Sequence, residues 1–307
     1  MRNKFSETLA KLANKNKKIY IVVADISPAG KMEAFQKKHK NRFINVGVAE
    51  QTMIGISAGL AAAKKIPFAY TIATFSLFRP FEMVRNDLCY QNLPVTIVGM
   101  GAGTVYSTLG GTHLTQEDIS IARSLPNLKI IAPCDPLELE VSVKYCVANK
   151  KGPIYLRIGK SGEKNYTENS LEKWKFGKIR KIKKGSDFCI LTYGPIIRKA
   201  FEIDEKLKEK NKSATIYSCH TLKPFDELGI KNIFKKYKSI ITIEDHSIIG
   251  GLGSIVQQLA NKFNFKNKII SFALKDKFMH VYGDQENLLE KHKISSKHLK
   301  DYINNYL

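Results

Sequence analysis

Glu50 stands where a β-branched run gives way to a helix of small residues: RFINVGVAEQ over 42–51, then IGISAGLAAA over 54–63. A helix N-terminus favours the ionised form of a carboxyl group and apolar surroundings favour the protonated form, so a carboxyl here can be tuned for proton sharing. Taken alone, Glu50 reads first as an ordinary first-turn glutamate. Further along, ATFSLFRPFEMVRND over 73–87 sets Phe75, Phe78 and Phe81 at three-residue spacing, which suits one aromatic wall. Such a stripe is more often the mark of a core than of a cofactor pocket. A third stretch, GMGAGTVYSTLGGTHLTQED over 99–118, is glycine-rich and follows a strand period. It breaks the dinucleotide pattern at Thr104 and has no helix directly behind it. Its Gly-Gly-Thr-His ending better suits a loop facing a substrate, with His113 either touching that substrate or making a structural hydrogen bond.

The elements that must position these residues follow from periodicity. Strands are expected over 19–24, 43–46, 68–72, 95–100, 129–131 and 154–157, and helices over 6–13, 50–63, 77–90, 115–124 and 137–148. Asp135 followed by Pro136 is a good helix start, a capping side chain and then a residue with no N–H to satisfy. Periodicity fails over 159–185, a polar, lysine-rich stretch with the single tryptophan, Trp174, which reads as a linker packed across a surface. It resumes with strands over 188–192, 215–217, 240–243 and 269–272 and helices over 196–209, 229–237 and 250–262. Alternation of this kind predicts an α/β protein of two domains, 1–160 and 186–307, joined by 161–185, each a mostly parallel sheet with helices on both faces.

Composition narrows the function classes. The 50 Lys and Arg against 28 Asp and Glu give a net charge of +22, but the lysines are spread in pairs, and the chain is also rich in Ile and Asn. That is the pattern of a codon bias, and no nucleic-acid-binding motif accompanies it. No apolar run reaches the ~20 residues of a membrane span. The first residues carry an amphipathic helical pattern rather than a signal peptide's apolar core. Five dispersed cysteines show no metal or redox spacing and fit a reducing cytoplasm.

In order and spacing, VAEQ, the phenylalanine cluster, GGTH with QED, PNLKIIAP over 126–133 and GPIYLR over 152–157 resemble the pyrimidine-binding domain of transketolases. The likeness continues in LKPFD over 222–226, IEDHSIIGGLGS over 243–254, DKF over 276–278 and LLEK over 288–291, and is nearest to the C-terminal subunit of split bacterial transketolases. It covers nearly the whole chain. The alternatives are the beta subunit of a 2-oxo-acid dehydrogenase, disfavoured by the TFSLFRPF segment and Arg157, and a non-catalytic module, disfavoured by Glu50 beside its aromatic cluster.

The resemblance implies thiamine diphosphate as cofactor, with Glu50 bonded to the pyrimidine ring nitrogen to favour the imino tautomer that activates it. Phe75, Phe78 and Phe81 would flank the ring. Asp25 would lie near the thiazolium, and Ile26 would help shape the cofactor. His113 would contact the donor sugar, and Arg157 and Arg2 would bind a sugar phosphate. Arg79 holds either a related phosphate contact or a structural ion pair. Thr108, Leu109 and Ala29 replace sugar-reading residues of the family, and Gly101 stands roughly where full-length enzymes carry a further histidine, which points to a modified sugar. The family's Gly-Asp-Gly motif is missing; its one candidate, Gly283-Asp284-Gln285, lacks the third glycine. The resemblance therefore implies that an N-terminal diphosphate-binding subunit holds the diphosphate with Mg2+ or Ca2+, in an α2β2 complex.

Overall fold

The computed structural model describes residues 1–26, 30–209, 211–280 and 282–306. Its strands are β1 (Ile19–Val23), β2 (Phe43–Asn45), β3 (Ile66–Ile72), β4 (Thr96–Met100), β5 (Lys129–Ile131), β6 (Ile154–Ile158), β7 (Arg180–Lys183), β8 (Phe188–Thr192), β9 (Ala214–Ser218), β10 (Thr221–Lys223), β11 (Ser239–Ser247) and β12 (Lys268–Leu274). They form a seven-stranded sheet in the order β10-β5-β6-β4-β3-β1-β2 and a five-stranded sheet in the order β12-β11-β8-β9-β7. Every pairing is parallel except β10 with β5 and β7 with β9, each at a sheet edge. The central strands β4, β6, β8 and β9 are buried along their whole length, as parallel strands covered by helices on both faces must be.

Two elements depart from the simple alternation. β7 lies inside the stretch expected to be a linker and closes one edge of the second sheet. β10 comes from the second half of the chain yet completes the first sheet, pairing Thr221 with Ile131. One apolar cluster accordingly runs from Val22, Ile97 and Tyr155 of the first sheet to Leu191 and Tyr217 of the second and Val256 of the helix Leu252–Lys262.

The helix expected over 77–90 is instead a short helix Ala73–Leu77, a turn Phe81–Met83 and a π-helical Val84–Tyr90. Pro80 cannot donate the N–H a continuous helix needs there. The helix expected from 115 starts at Asp118; Thr115 instead forms an isolated antiparallel bridge with Gly103, its N–H donated to the Gly103 carbonyl at 2.9 Å. The capping reading of Asp135 is met: its carboxylate accepts from the Glu138 N–H at 2.8 Å. The helix Glu33–Lys38 and the terminal helices Gln285–Lys291 and Ser296–Tyr306 add to the elements expected.

Candidate active site

Three chain reversals at the carboxyl ends of parallel strands bring the chemistry together, the usual place for a site in an open α/β sheet. After β2 the chain enters the helix Glu50–Ala62, with Glu50 its first residue. After β3 it enters Ala73–Leu77, which carries Phe75, and after β4 it runs through the glycine-rich loop to His113.

Glu50 is buried, at 1% exposure, and its carboxylate accepts a hydrogen bond from Arg79 Nη1 at 2.7 Å. The Arg79 side chain is 42% exposed, and its guanidinium sits 4.9 Å from the Phe75 ring centroid. The His113 ring also meets Phe75, nearly edge-on at 5.2 Å. The His113 backbone is pinned by Thr74, whose hydroxyl donates to the His113 carbonyl at 3.1 Å and shares a bond with Thr115 Oγ1 at 2.8 Å. Thr112 Oγ1 lies 3.0 Å from His113 Nδ1, which engages that nitrogen locally and makes Nε2 the one to offer a ligand.

The phenylalanines do not make one wall. Phe75 faces Arg79 and His113, whereas Phe78 and Phe81 rest on the core and line a neighbouring cleft of about 540 Å3 with Thr74, Thr112, Glu117 and Phe278. Phe278 is 76% exposed, so one wall of that cleft is open apolar surface.

Asp25 lies in the left-handed region at φ 46°, exposed, with its N–H donated to Asn45 Oδ1 at 3.2 Å. Ile26 is buried in the apolar core, while Ser27, Pro28 and Ala29 fall outside the described residues. Arg2 is half-buried in the helix Arg2–Lys15; its N–H donates to the Lys160 carbonyl, and its charge is felt at Tyr106, whose ring is 6.2 Å from His113. Thr108 and Leu109 are exposed in the loop leading to His113.

Arg157 requires a correction. A phosphate contact fits its placement poorly, because the residue is 3% exposed and two of its three guanidinium nitrogens are held by protein groups. Nε donates to Asp118 Oδ2 at 2.9 Å and Nη2 to the Asp245 carbonyl at 2.8 Å. Tyr155 donates to the same Asp118 oxygen at 2.8 Å, and Thr104 N–H donates to Asp245 Oδ2 at 3.0 Å. His246 joins this network across the two sheets, accepting from the Ser120 N–H at Nε2 and donating from Nδ1 to the Ser247 carbonyl. Burial pushes its pKa down to about 4 against the opposing pull of Asp118. The 3.9 Å approach to Asp118 is therefore a contact with a neutral imidazole, not an ion pair. Periodicity gave no role to Asp118, Asp245 or His246. The clue lay in Arg157 itself, since a cation inside a fully buried strand must find a buried anion.

The Gly283-Asp284-Gln285 segment is engaged otherwise. Asp284 caps the helix Gln285–Lys291 through the Glu286 N–H, and Gln285 Nε2 donates to Thr104 Oγ1 at 2.9 Å. Among the described residues, no group of three or more His, Cys, Asp and Glu is placed to hold a metal ion.

Residues 1–163 match the family described as transketolase, pyrimidine binding domain, and residues 177–299 match transketolase, C-terminal domain. The chain belongs to the transketolase family. It is 37% identical over 280 residues to a putative transketolase C-terminal section from Methanocaldococcus jannaschii, covering 91% of this chain and 87% of that one. It is 31% identical over 300 residues to a 6-deoxy-6-sulfo-D-fructose transketolase subunit from Clostridium sp. (strain MSTE9), covering 97% and 92%. Among solved structures, it superposes on a split-gene transketolase described as an inactive beta4 tetramer with TM-score 0.89 and 31% identity, over 99% of this chain and 97% of that one. This is therefore the C-terminal subunit type of a split transketolase, a transferase of a thiamine-diphosphate-dependent family.

The residues present fit an aminopyrimidine. Such a ring needs an acidic group at its edge and an aromatic face against it. Glu50 and Phe75 provide both, and they lie close enough for one guanidinium to engage the two together. No helix of the described residues is long and apolar enough to cross a membrane.

Proposed function

We propose that this chain is the cofactor-activating subunit of a two-chain transketolase, moving a two-carbon ketol unit from a ketose or ketose phosphate to an aldose. The observation that carries the reading is the buried Glu50 carboxylate at a helix N-terminus beside Phe75 and His113. Thiamine diphosphate, when bound, supplies the nucleophilic carbon and electron sink that the transfer needs. Glu50 holds and shares a proton at the pyrimidine nitrogen. The aromatic side chains keep water away: Phe75 packs the ring, and Phe78 and Phe81 shield its flank. Asp25 faces the cationic end. His113, with its backbone fixed by Thr74, contacts the sugar.

The diphosphate and its Mg2+ or Ca2+ belong to an N-terminal partner subunit in an α2β2 assembly. The capping role of Asp284, the acid of the one Gly-Asp candidate, supports that division of labour. Residues 1–160 and 186–307 form the two domains around a joint at 161–185, whose tail β7 belongs to the second sheet. Five buried cysteines without disulfides suit a reducing cytoplasm.

The substrate is a modified sugar. With Arg157 buried, Arg2 and Arg79 remain as the proposed anion contacts, and Leu109 presents an apolar rim that is 47% exposed. A relative that is 34% identical over 255 residues is an apulose-4-phosphate transketolase subunit from Phocaeicola vulgatus, and the Clostridium relative's name also carries an altered sugar. Reconstitution with the diphosphate-binding partner, assayed against ordinary, branched and sulfonated ketoses, tests the reading. Ketol transfer is expected with at least one of them. Decarboxylation of a branched 2-oxo acid in its place overturns it.

A further inference from the structure

Arg79 sits where its surroundings favour a flat, nitrogen-rich cation. Its Nη1 donates to the buried Glu50 carboxylate at 2.7 Å, while the same guanidinium lies 4.9 Å from the Phe75 ring centroid. Glu50 and Phe75 are also the acidic edge partner and the aromatic face of the pyrimidine site. A guanidinium and an aminopyrimidine share the features such a slot selects: planarity, delocalised N–H donors and a face that packs on a phenyl ring. Yet the two partners differ sharply in exposure. The Glu50 side chain is 2% exposed and Arg79 is 42% exposed, so the cation reaches in from the surface and can swing back out.

We propose that Arg79 is a placeholder for the cofactor's aminopyrimidine. In the cofactor-free subunit it fills the slot and compensates a buried carboxylate that would otherwise stand without a cation, an arrangement that is strongly destabilising. Cofactor entry requires Arg79 to leave Glu50 and Phe75. The subunit thus keeps its activating glutamate buried and paired until the cofactor arrives. This inference rests on the reading of Glu50 and Phe75 as the pyrimidine site.

The test is stopped-flow binding of thiamine diphosphate with Mg2+ to the reconstituted two-chain enzyme, followed by circular dichroism, with calorimetry for affinity. Arg79→Met is expected to bind the cofactor about tenfold faster and tighter than the unsubstituted enzyme, the gain that follows if the slot stands open about a tenth of the time. Without cofactor, the same variant should melt at a lower temperature. Arg79→Lys keeps the charge without the flat face and provides a second variant if Met does not fold; it should bind at an intermediate rate. Millimolar guanidinium should slow cofactor binding to Arg79→Met back toward the unsubstituted rate and leave the unsubstituted enzyme unchanged. Binding to both variants that is equal to or weaker than the unsubstituted enzyme's would overturn the placeholder and make Arg79 an ordinary contact. Absence of cofactor binding by the unsubstituted enzyme would instead overturn the pyrimidine site itself.

Discussion

Glu50 and Phe75 are asked for different amounts of work, and that difference is measurable. A positioned carboxyl that shares a proton contributes about 10²–10⁴ in rate, whereas an aromatic stacking contact is worth about 0.5–1.5 kcal/mol beyond its buried area. In the reconstituted enzyme, Glu50→Ala should lower turnover at least about 100-fold, and exchange of the cofactor's C2 proton, followed by NMR, should fall with it. Phe75→Ala should lose about tenfold, mainly through weaker cofactor binding. Near-normal exchange in Glu50→Ala would remove the assigned role. Much of this was legible in the chain, because Glu50, Phe75 and His113 lie in short motifs at strand ends. What joins them was not. The Arg79 to Glu50 bond is tertiary, and no local period announces it. Arg157 shows the converse: its motif suggested a ligand contact, but the run IYLRI is buried at every position, and an arginine there is neutralised by protein.

Among the elements, the glycine-rich loop after β4 matters less as a ligand cradle than as a docking surface for β11. Gly103 has φ +75°, and a Cβ on it would collide with the Asp245 carboxylate, which also accepts the Thr104 N–H. Gly103→Ala therefore combines a left-handed backbone penalty with displacement of a buried carboxylate. We expect a loss of about 2–4 kcal/mol in urea unfolding, together with weaker ordering of the loop that carries His113. An unfolding midpoint within error of the unsubstituted protein would show that the loop relaxes freely. The strands framing this loop were readable as β-branched runs. β7 and β10 were not: the first reads RKIK, dominated by charge, and the second is three residues long. Both owe their existence to an open sheet edge supplied by distant sequence, which single-chain periodicity does not report.

For the molecule as a whole, β11 carries three buried titratable groups, Glu244, Asp245 and His246, into the contact between the sheets, and burial raises both carboxyls while it lowers the imidazole. Burial raises Glu244 to about 7, although it accepts from the Leu252 and Gly253 N–H groups and from Tyr193. A carboxyl raised in the folded state stabilises fully below its unfolded pKa, and that contribution is lost as pH climbs from about 4.5 to about 7. His246, held near 4, works the other way, and its contribution is lost as pH falls from about 6.5 to about 4. The Glu244 and His246 swings each amount to about 3 kcal/mol and oppose each other over their shared window, while Asp245, also raised by burial, adds to the Glu244 side. Glu244→Gln removes one arm. Its stability in urea should match the unsubstituted protein below about pH 4.5, draw ahead through the window, and lead by up to about 3 kcal/mol above pH 7. If the two curves instead stay parallel from pH 4 to 8, Glu244 is ionised in the folded protein. The N-terminal N–H groups of the helix Leu252–Lys262 then outweigh burial, and His246 and Asp245 set the pH response of this contact.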